Sequence, residues 1–453
     1  MSIISPRTFR GTRDFLPPEL LARRRILEVI EGAYRRYGFQ PLETPAIEYL
    51  EILTGKSEEN DKLIYEIKRA RGEEEESAES AIALRYDLTV PLARVVAQYA
   101  DLPRPFKRYQ IQPVWRADRP QPRQGRFREF VQCDADIVGT DSLLADAEII
   151  ALTYEVLRDL GFEKFRIRLS SRKFLFELVQ AITGGTEKFS SFCRAIDKYD
   201  KIGWEGVGKE LTAAGISPGA ATGMLETLTE NFKAANFAPA REKLQSAGAT
   251  GKGIDEIEQV YHHALNLSVP KDNLLCDPLL ARGLDYYTGP IFESVSTELP
   301  HLGSLSGGGR YDGLVGTFSK EQVSATGTTL GLDRIQTALE QLGKFTTVPS
   351  LTQVLVTRFD PAGIDANLQI ASTLRRAGIN VEVWYDDDRM KKQFAYADKQ
   401  QIPIVVICGP DERARGTVAV KNMKRAEQKE ILREQLVDAV KSWLPYSPPL
   451  TLP

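Results

Sequence analysis

A chain of 453 residues is too long for one compact core, and at roughly 150 residues per domain it predicts about three. With 42% hydrophobic and 27% charged residues it has the apolar material for several cores, which excludes a disordered chain. A formal charge of -3, from 59 basic and 62 acidic side chains, gives no global positive field, so any nucleic acid has to be met by a local patch.

Gly11-Thr12-Arg13-Asp14 and Leu16-Pro17-Pro18 open the chain, whose first ten residues lack a signal peptide's apolar stretch. No apolar run reaches membrane-spanning length, so the expectation is a cytoplasmic protein with no membrane partner. Leu20, Leu21, Ile26, Ile30 and Tyr34 at helical spacing predict an amphipathic helix ending near Gly38. From there to about Ile137 short strand-like runs alternate with turns, and the Glu73-Glu74-Glu75-Glu76 tract reads as a solvated hairpin tip. Leu143 to Leu160 predicts a helix closed by Gly161, and Lys164 to Leu169 a strand. Between Ser171 and Pro270 the texture becomes helical patches with Gly and Ala breaks, an inserted helical domain. Strand and glycine signals resume at Asn273 and run to Gly331, and a helix follows from Asp333 to Leu342. Val354 to Val356, Val381 to Tyr385, Pro403 to Ile407 and Thr417 to Val420 predict four strands alternating with helices. That pattern implies an α/β layer with a largely parallel sheet. A last amphipathic helix runs from about Glu430 to Leu444, and Pro445 to Pro453 reads as a frayed tail.

Metal and thiol chemistry find little support. Cys133, Cys193, Cys276 and Cys408 form no C-x-x-C pair, and His262, His263 and His301 have no zinc-binding spacing. Chemistry therefore falls to Arg, Asp, Glu, Tyr and backbone groups. The densest signal is Lys107 to Gly139, where Lys107, Arg108, Arg116, Arg119, Arg123, Arg126 and Arg128 crowd two strand-like arms and their loop. A period of two puts Phe130, Gln132, Asp134 and Asp136 on one face and Val131, Cys133, Ala135 and Ile137 on the other. Such a strand floors a ligand cavity or forms the solvent side of an antiparallel sheet. Guanidinium groups around one loop suit a polyphosphate or an RNA backbone, and Phe127 offers a ring for stacking. Gly307-Gly308-Gly309 permits close backbone approach, while no P-loop or dinucleotide fingerprint occurs.

Val114 to Gly139 resembles motif 2 of class II aminoacyl-tRNA synthetases, and Gly327 to Arg334 resembles their motif 3. Arg282-Gly283-Leu284-Asp285-Tyr286-Tyr287-Thr288-Gly289 and Gly308 to Leu314 resemble the two signature peptides of the histidyl-tRNA synthetase family. Gly11 to Asp14 and Leu84 to Pro91 match that family too, and the order of blocks is right over almost the whole chain. The resemblance implies an α+β fold: a six-stranded antiparallel sheet with flanking helices, a helical insertion and a C-terminal α/β anticodon-binding domain. It places the catalytic domain at 1–170 and 271–345, the insertion at 171–270 and the last domain at 350–445. It also implies a homodimer, joined partly through Tyr37 to Glu48.

The implied reaction joins L-histidine and ATP into histidyl-adenylate and pyrophosphate, then moves histidine to the 3′ end of tRNA(His). Mg2+ would come bound with ATP, with no dedicated metal site on the protein. Asp87 and Thr89 would accept hydrogen bonds from the substrate ammonium, and Thr89 also reads as a cap for the helix near Pro91. Gln132 would hold the amino-acid moiety, Asp136 the imidazole, and Tyr286 and Tyr287 would wall the ring. Arg116 and Arg282, the implied catalytic pair, would hold the α-phosphate and the histidine carboxylate. Asp118 would meet the adenine or ribose, Arg126 the outer phosphates, Phe127 the adenine face and Arg334 the far side of the polyphosphate. The family's motif 2 usually carries Glu where Asp118 stands. Arg119 or Arg123 would meet the tRNA acceptor stem, and a basic run at Lys421, Lys424, Arg425 and Lys429 the anticodon. The alternatives are the family's non-catalytic relative, the regulatory subunit of ATP phosphoribosyltransferase, and a plain RNA-binding module.

Overall fold

The structure, a computed structural model, describes residues 3–55, 61–68, 81–281 and 286–444. The acidic tract at Glu73, the signature residues Arg282 to Asp285 and the Pro-rich tail lie outside the described residues. Contacts divide the chain into two units. Among the described residues, one holds those up to Arg13 and those within Ile26–Lys344; the other holds Asp14–Arg25 and residues 345–444.

Helix α1 (Pro17–Arg36), whose residues from Ile26 on belong to the first unit, buries Ile26, Ile30 and Tyr34 of the expected stripe, with Ala33 beside them, and leaves Leu20 and Leu21 half-buried. Strands β1 (Gln40–Pro41), β2 (Ile47–Tyr49), β3 (Tyr65–Ile67) and β4 (Ile82–Leu84) follow, with α2 (Leu50–Leu53) between the second and third. After α3 (Thr89–Gln98), the long strands β5 (Phe106–Trp115) and β6 (Glu129–Val138) pair antiparallel over their full length. Helix α4 (Leu143–Asp159) and strand β7 (Phe165–Ser171) lead into six helices: α5 (Arg172–Thr183), α6 (Phe189–Ile196), α7 (Tyr199–Ala213), α8 (Pro218–Lys233), α9 (Phe237–Ser246) and α10 (Lys252–Asn266). Strands β8 (Leu274–Cys276), β9 (Pro290–Ser296), β10 (Ser304–Arg310) and β11 (Ala325–Gly331) then complete the sheet, and α11 (Leu332–Gln341) ends the unit.

Among the described residues the sheet has eight strands in the order β1-β5-β6-β11-β10-β9-β7-β8. The six from β5 to β7 pair antiparallel, while β1 and β8 are short parallel additions at the two edges. One face of β6 carries Cys133, Ala135 and Ile137, fully buried, and the Tyr34 hydroxyl donates to the Cys133 carbonyl at 2.8 Å. Helices α4 and α11 also pack on β6. Glycines let the strands close up: a Cβ on Gly327 would stand 2.5 Å from Asp136 Cγ and 2.9 Å from the Ala135 carbonyl oxygen. Arg310, in the second signature peptide, anchors β10 to the start of α4. Its guanidinium pairs with Asp146 and donates to the carbonyls of Thr140 and Ser142.

The C-terminal unit departs from the expected parallel layer. Strands β12 (Val354–Val356), β13 (Val381–Val383) and β14 (Ile404–Ile407) pair in parallel, with α12 (Ile364–Arg376) and α13 (Met390–Lys399) between them. After α14 (Pro410–Arg415), β15 (Thr417–Asn422) and β16 (Glu427–Leu432) add antiparallel pairings, and the sheet order is β13-β12-β14-β15-β16. Glu427 to Leu432 is thus an edge strand where a helix start was expected, and α15 (Leu436–Trp443) is correspondingly short. The turn between β15 and β16 is set by Ala426 at φ 55 and by the Asn422 side chain, which accepts from the Arg425 N–H at 2.9 Å.

Candidate active site

The period-two polar faces of β5 and β6 stand side by side. Register pairs Arg108 with Asp136, Gln110 with Asp134 and Gln112 with Gln132. All but Gln112 are buried, which excludes the solvent-face reading of Gln132, Asp134 and Asp136. Burial of so many polar groups demands partners. Arg108 donates to Gln110 Oε1 at 3.1 Å, Gln110 Nε2 to Thr44 Oγ1 at 2.9 Å, and Gln132 Nε2 to Thr329 Oγ1 at 2.9 Å. Arg108 Nη2 lies 2.9 Å from Asp136 Oδ2 and 3.9 Å from Asp134 Oδ2.

Two clefts open over this ladder. The first, about 360 Å³, brings together Asp87, Thr89, Arg116, Gln132, Asp136, Tyr286 and Tyr287, the set expected for the amino acid apart from Arg282. The two tyrosine rings meet edge to face at 4.9 Å, and Tyr311 joins Tyr286 at 5.9 Å. Burial pushes the Asp87 carboxyl up to about 6, against the pull of the Val90 N–H, Arg116 and Arg108. It also raises Asp134 and Asp136, with Arg108 the main opposing influence on each. Gln132 Oε1 is buried with no hydrogen-bond donor among the described residues, so the cleft offers an acceptor to a cationic ligand.

The second cleft, about 210 Å³, is lined by Arg116, Asp118, Arg126, Phe127 and Arg334, all five residues expected at the nucleotide. Arg116, Arg126, Gln132, Gly307 and Thr329 line both clefts, so the two are neighbours along one wall. Arg116 is fixed by its Nε, which donates to the Tyr86 carbonyl at 2.9 Å, and its guanidinium lies 5.1 Å from the Phe130 ring. Three guanidinium groups around a small cleft with a buried aromatic ring suit a polyphosphate attached to a flat base. Gly125, at φ +67, turns the loop against α11. A Cβ there would come within 2.7 Å of Arg334 Cα.

Some expectations need correction. Thr89 is the first residue of α3 and does not cap it; the Asp87 carboxylate accepts from the Val90 N–H at 3.2 Å instead. The side chain nearer the turn wins, because a cap acceptor has to precede the N–H groups it serves. Asp136 lines the first cleft, yet its oxygens already meet Arg108 and the Tyr311 hydroxyl, the latter at 2.5 Å. Gly308 is demanded by strand packing against β11 and Phe292, while Gly307 is the glycine of that run lining the clefts.

Sequence reading missed several contributors. Arg108 stands out in the sequence only as part of a basic stretch; the alternation Arg108, Gln110, Gln112 could have placed it opposite Asp136. Arg13 spans 4.0 Å from its guanidinium carbon to the Phe127 ring and pairs with Asp333 at 2.6 Å, holding the aromatic wall of the second cleft. Asp333 in turn accepts from the Val131 N–H at 3.0 Å. Asp197, after α6, and Glu293 on β9 also line the first cleft. Among the described residues no group of three His, Cys, Asp or Glu side chains is arranged to hold a metal ion.

Comparison with known proteins agrees with this geometry. Residues 11–335 match the model of the histidyl-tRNA synthetase family, and residues 353–443 that of an anticodon binding domain. The chain is 39% identical over 433 residues to the histidine--tRNA ligase of Rhodopirellula baltica, covering 95% of this chain and 96% of that protein. It is 41% identical over 446 residues to the histidine--tRNA ligase of Cytophaga hutchinsonii, covering 94% and 98%. The crystal structure of histidyl-tRNA synthetase from Nostoc sp. PCC 7120 superposes with a TM-score of 0.84 at 33% identity, covering 98% of this chain and all of that one. With these matches over nearly its whole length, and with its clefts formed by the same blocks, the chain belongs to the histidyl-tRNA synthetase family.

Proposed function

We propose that the chain is a histidine–tRNA ligase whose two clefts hold histidine and ATP against a shared wall. The observation carrying this reading is that wall: Arg116 and Gln132 line both clefts, so a carboxylate in one and an α-phosphate in the other meet at Arg116. Asp87, Thr89 and Gln132 take the ammonium, Tyr286 and Tyr287 wall the ring, and Asp136 faces the imidazole. Arg126, Phe127, Asp118 and Arg334 take the nucleotide, and Mg2+ enters as part of that substrate. Arg282 completes the site at the α-phosphate on the strength of its signature peptide.

The histidine carboxylate attacks the α-phosphorus in line, and pyrophosphate leaves. No protein nucleophile is needed, so positioning and charge stabilisation supply the acceleration. The 3′-terminal adenosine of tRNA(His) then takes the histidyl group. Arg119 and Arg123, exposed on the loop between β5 and β6, meet the acceptor stem, and the unit from 350 to 445 reads the anticodon. The catalytic domain comprises 1–170 and 271–345, with the insertion at 171–270. We place the enzyme in the cytoplasm, as a homodimer. Histidine-dependent exchange of labelled pyrophosphate into ATP is the test. Exchange with histidine alone among the amino acids is the expected result, and its absence from folded protein would favour a regulatory or RNA-binding role.

A further inference from the structure

The inner part of the amino-acid cleft, away from the end that Arg116 and Arg126 share with the nucleotide cleft, holds more buried carboxylate than the Arg108 guanidinium answers. Asp87, Asp134 and Asp136 are 5%, 2% and 3% exposed and line one cleft, with Arg108 the guanidinium set between the last two. Alternate residues on one strand face stand about 7 Å apart. Along β6, Gln132 therefore lies at the end shared with the nucleotide cleft, and Asp134 and Asp136 lie progressively deeper. An ammonium held at Asp87 and Gln132 puts the ring of the same histidine over Asp134 and Asp136. The groups facing this pair come from every neighbouring element. They are Arg108 and Gln110 on β5, Gln132 on β6, Thr329 on β11, Tyr34 on α1, Asp87 before α3 and Tyr311 after β10. Glu293, on the cleft wall, faces Arg168 at 3.6 Å, and Asp197 belongs to the insertion side.

Charge balance follows directly. The substrate ammonium answers Asp87, Arg116 answers the substrate carboxylate, and Arg126, which lines the cleft at the end shared with the nucleotide cleft, answers the outer phosphates. Arg108 answers one of Asp134 and Asp136, and one negative charge is left beside the ring. Buried charge without a partner is costly, so the ring that fits is a cation. We propose that Asp134, a residue with no assigned role, pairs with Asp136 to select the imidazole ring in its protonated form. In the empty cleft the pair carries one proton between its carboxyl groups. On binding, that O–H bond breaks as the second ring N–H forms, so the ligand turns from neutral ring to imidazolium with no other reactant. Burial raises both carboxyl groups, which is the direction this proton requires. The proposal rests on the histidine reading of the cleft.

Nitrogen-15 NMR of ring-labelled histidine bound to the full chain tests it, at about pH 7.5, where the free ring is mostly neutral. The expected spectrum has both ring nitrogens protonated, and Asp134→Asn returns the bound ring to its neutral form. The same variant raises the histidine KM about tenfold, as expected for one lost charge partner, and leaves the ATP KM unchanged. A neutral bound ring in the parent protein, or an imidazolium that persists in Asp134→Asn, overturns the proposal. Should Asp134→Asn fail to fold, a ring-fluorinated histidine of very low basicity decides the matter on the parent protein. It is expected to compete about tenfold more weakly than histidine, and equal competition overturns the proposal. Absence of any bound-histidine signal, by contrast, sinks the histidine reading of the cleft itself.

Discussion

Gly327→Ala is a one-carbon change whose effect falls on one substrate. The added Cβ would stand 2.5 Å from Asp136 Cγ and press on Oδ1, the oxygen that accepts from the Tyr311 hydroxyl at 2.5 Å. Backbone flanks the methyl as well, the Ala135 carbonyl oxygen lying at 2.9 Å, so the carboxylate is what has to move. A hydrogen bond to a charged group is worth about 1.5–3 kcal/mol, and crowding a packed site costs about 1–3 kcal/mol. The first falls on histidine recognition and predicts a loss of about ten- to a hundred-fold in histidine kcat/KM. The second falls on the fold and lowers the melting temperature by a few degrees. Asp136 lines the amino-acid cleft alone, so the ATP KM should stay near the parental value. Pyrophosphate exchange, run with each substrate varied in turn, measures both. A folded Gly327→Ala enzyme with histidine kcat/KM within about twofold of the parent would refute the assignment of Asp136 to the ring.

Arg13→Ala removes the cation over Phe127 and the partner of Asp333, and should raise the ATP KM about tenfold with histidine KM unchanged in the same assay. Lys424→Ala with Arg425→Ala, on the turn between β15 and β16, should slow tRNA charging and flatten its salt dependence while pyrophosphate exchange stays intact. Asp87→Asn should stabilise the protein above neutral pH. The carboxyl is pushed from 3.8 in the open chain to about 6 by burial, so stability is lost as pH rises between those values. The amide escapes that loss, gaining up to about 3 kcal/mol at pH 8 and nothing below pH 3.8, and the cost appears as a higher histidine KM. Equal melting curves for the two proteins at pH 8 would refute the burial argument.

The antiparallel sheet as a whole came with the family resemblance, while β6 was legible by itself because it keeps strict alternation. Val131, Cys133, Ala135 and Ile137 could face only a core, so Gln132, Asp134 and Asp136 had to share the other side. What alternation lacks is the neighbouring strand, and register alone brings Arg108 across to Asp136. Arg13 lies 320 residues from Asp333, a partnership no local pattern encodes. In the C-terminal unit the run Glu427-Gln428-Lys429-Glu430 is made of good helix formers, with Val437 and Val440 continuing at helical spacing. Pairing with β15 overrides that preference, and the turn that permits it holds neither Gly nor Pro. Arg282 is the reverse case, expected from its peptide alone and lying outside the described residues.

The common wall of Arg116, Arg126, Gln132, Gly307 and Thr329 has a thermodynamic consequence. A ligand that settles one of these side chains does part of the ordering the second ligand needs. By linkage, whatever factor histidine lends to ATP affinity, ATP returns to histidine. Neither substrate then has a single dissociation constant, only one for each state of the other cleft. A molecule bridging the wall, with an amino-acid end and a nucleotide end, would meet both affinities at once and lose its freedom of motion a single time.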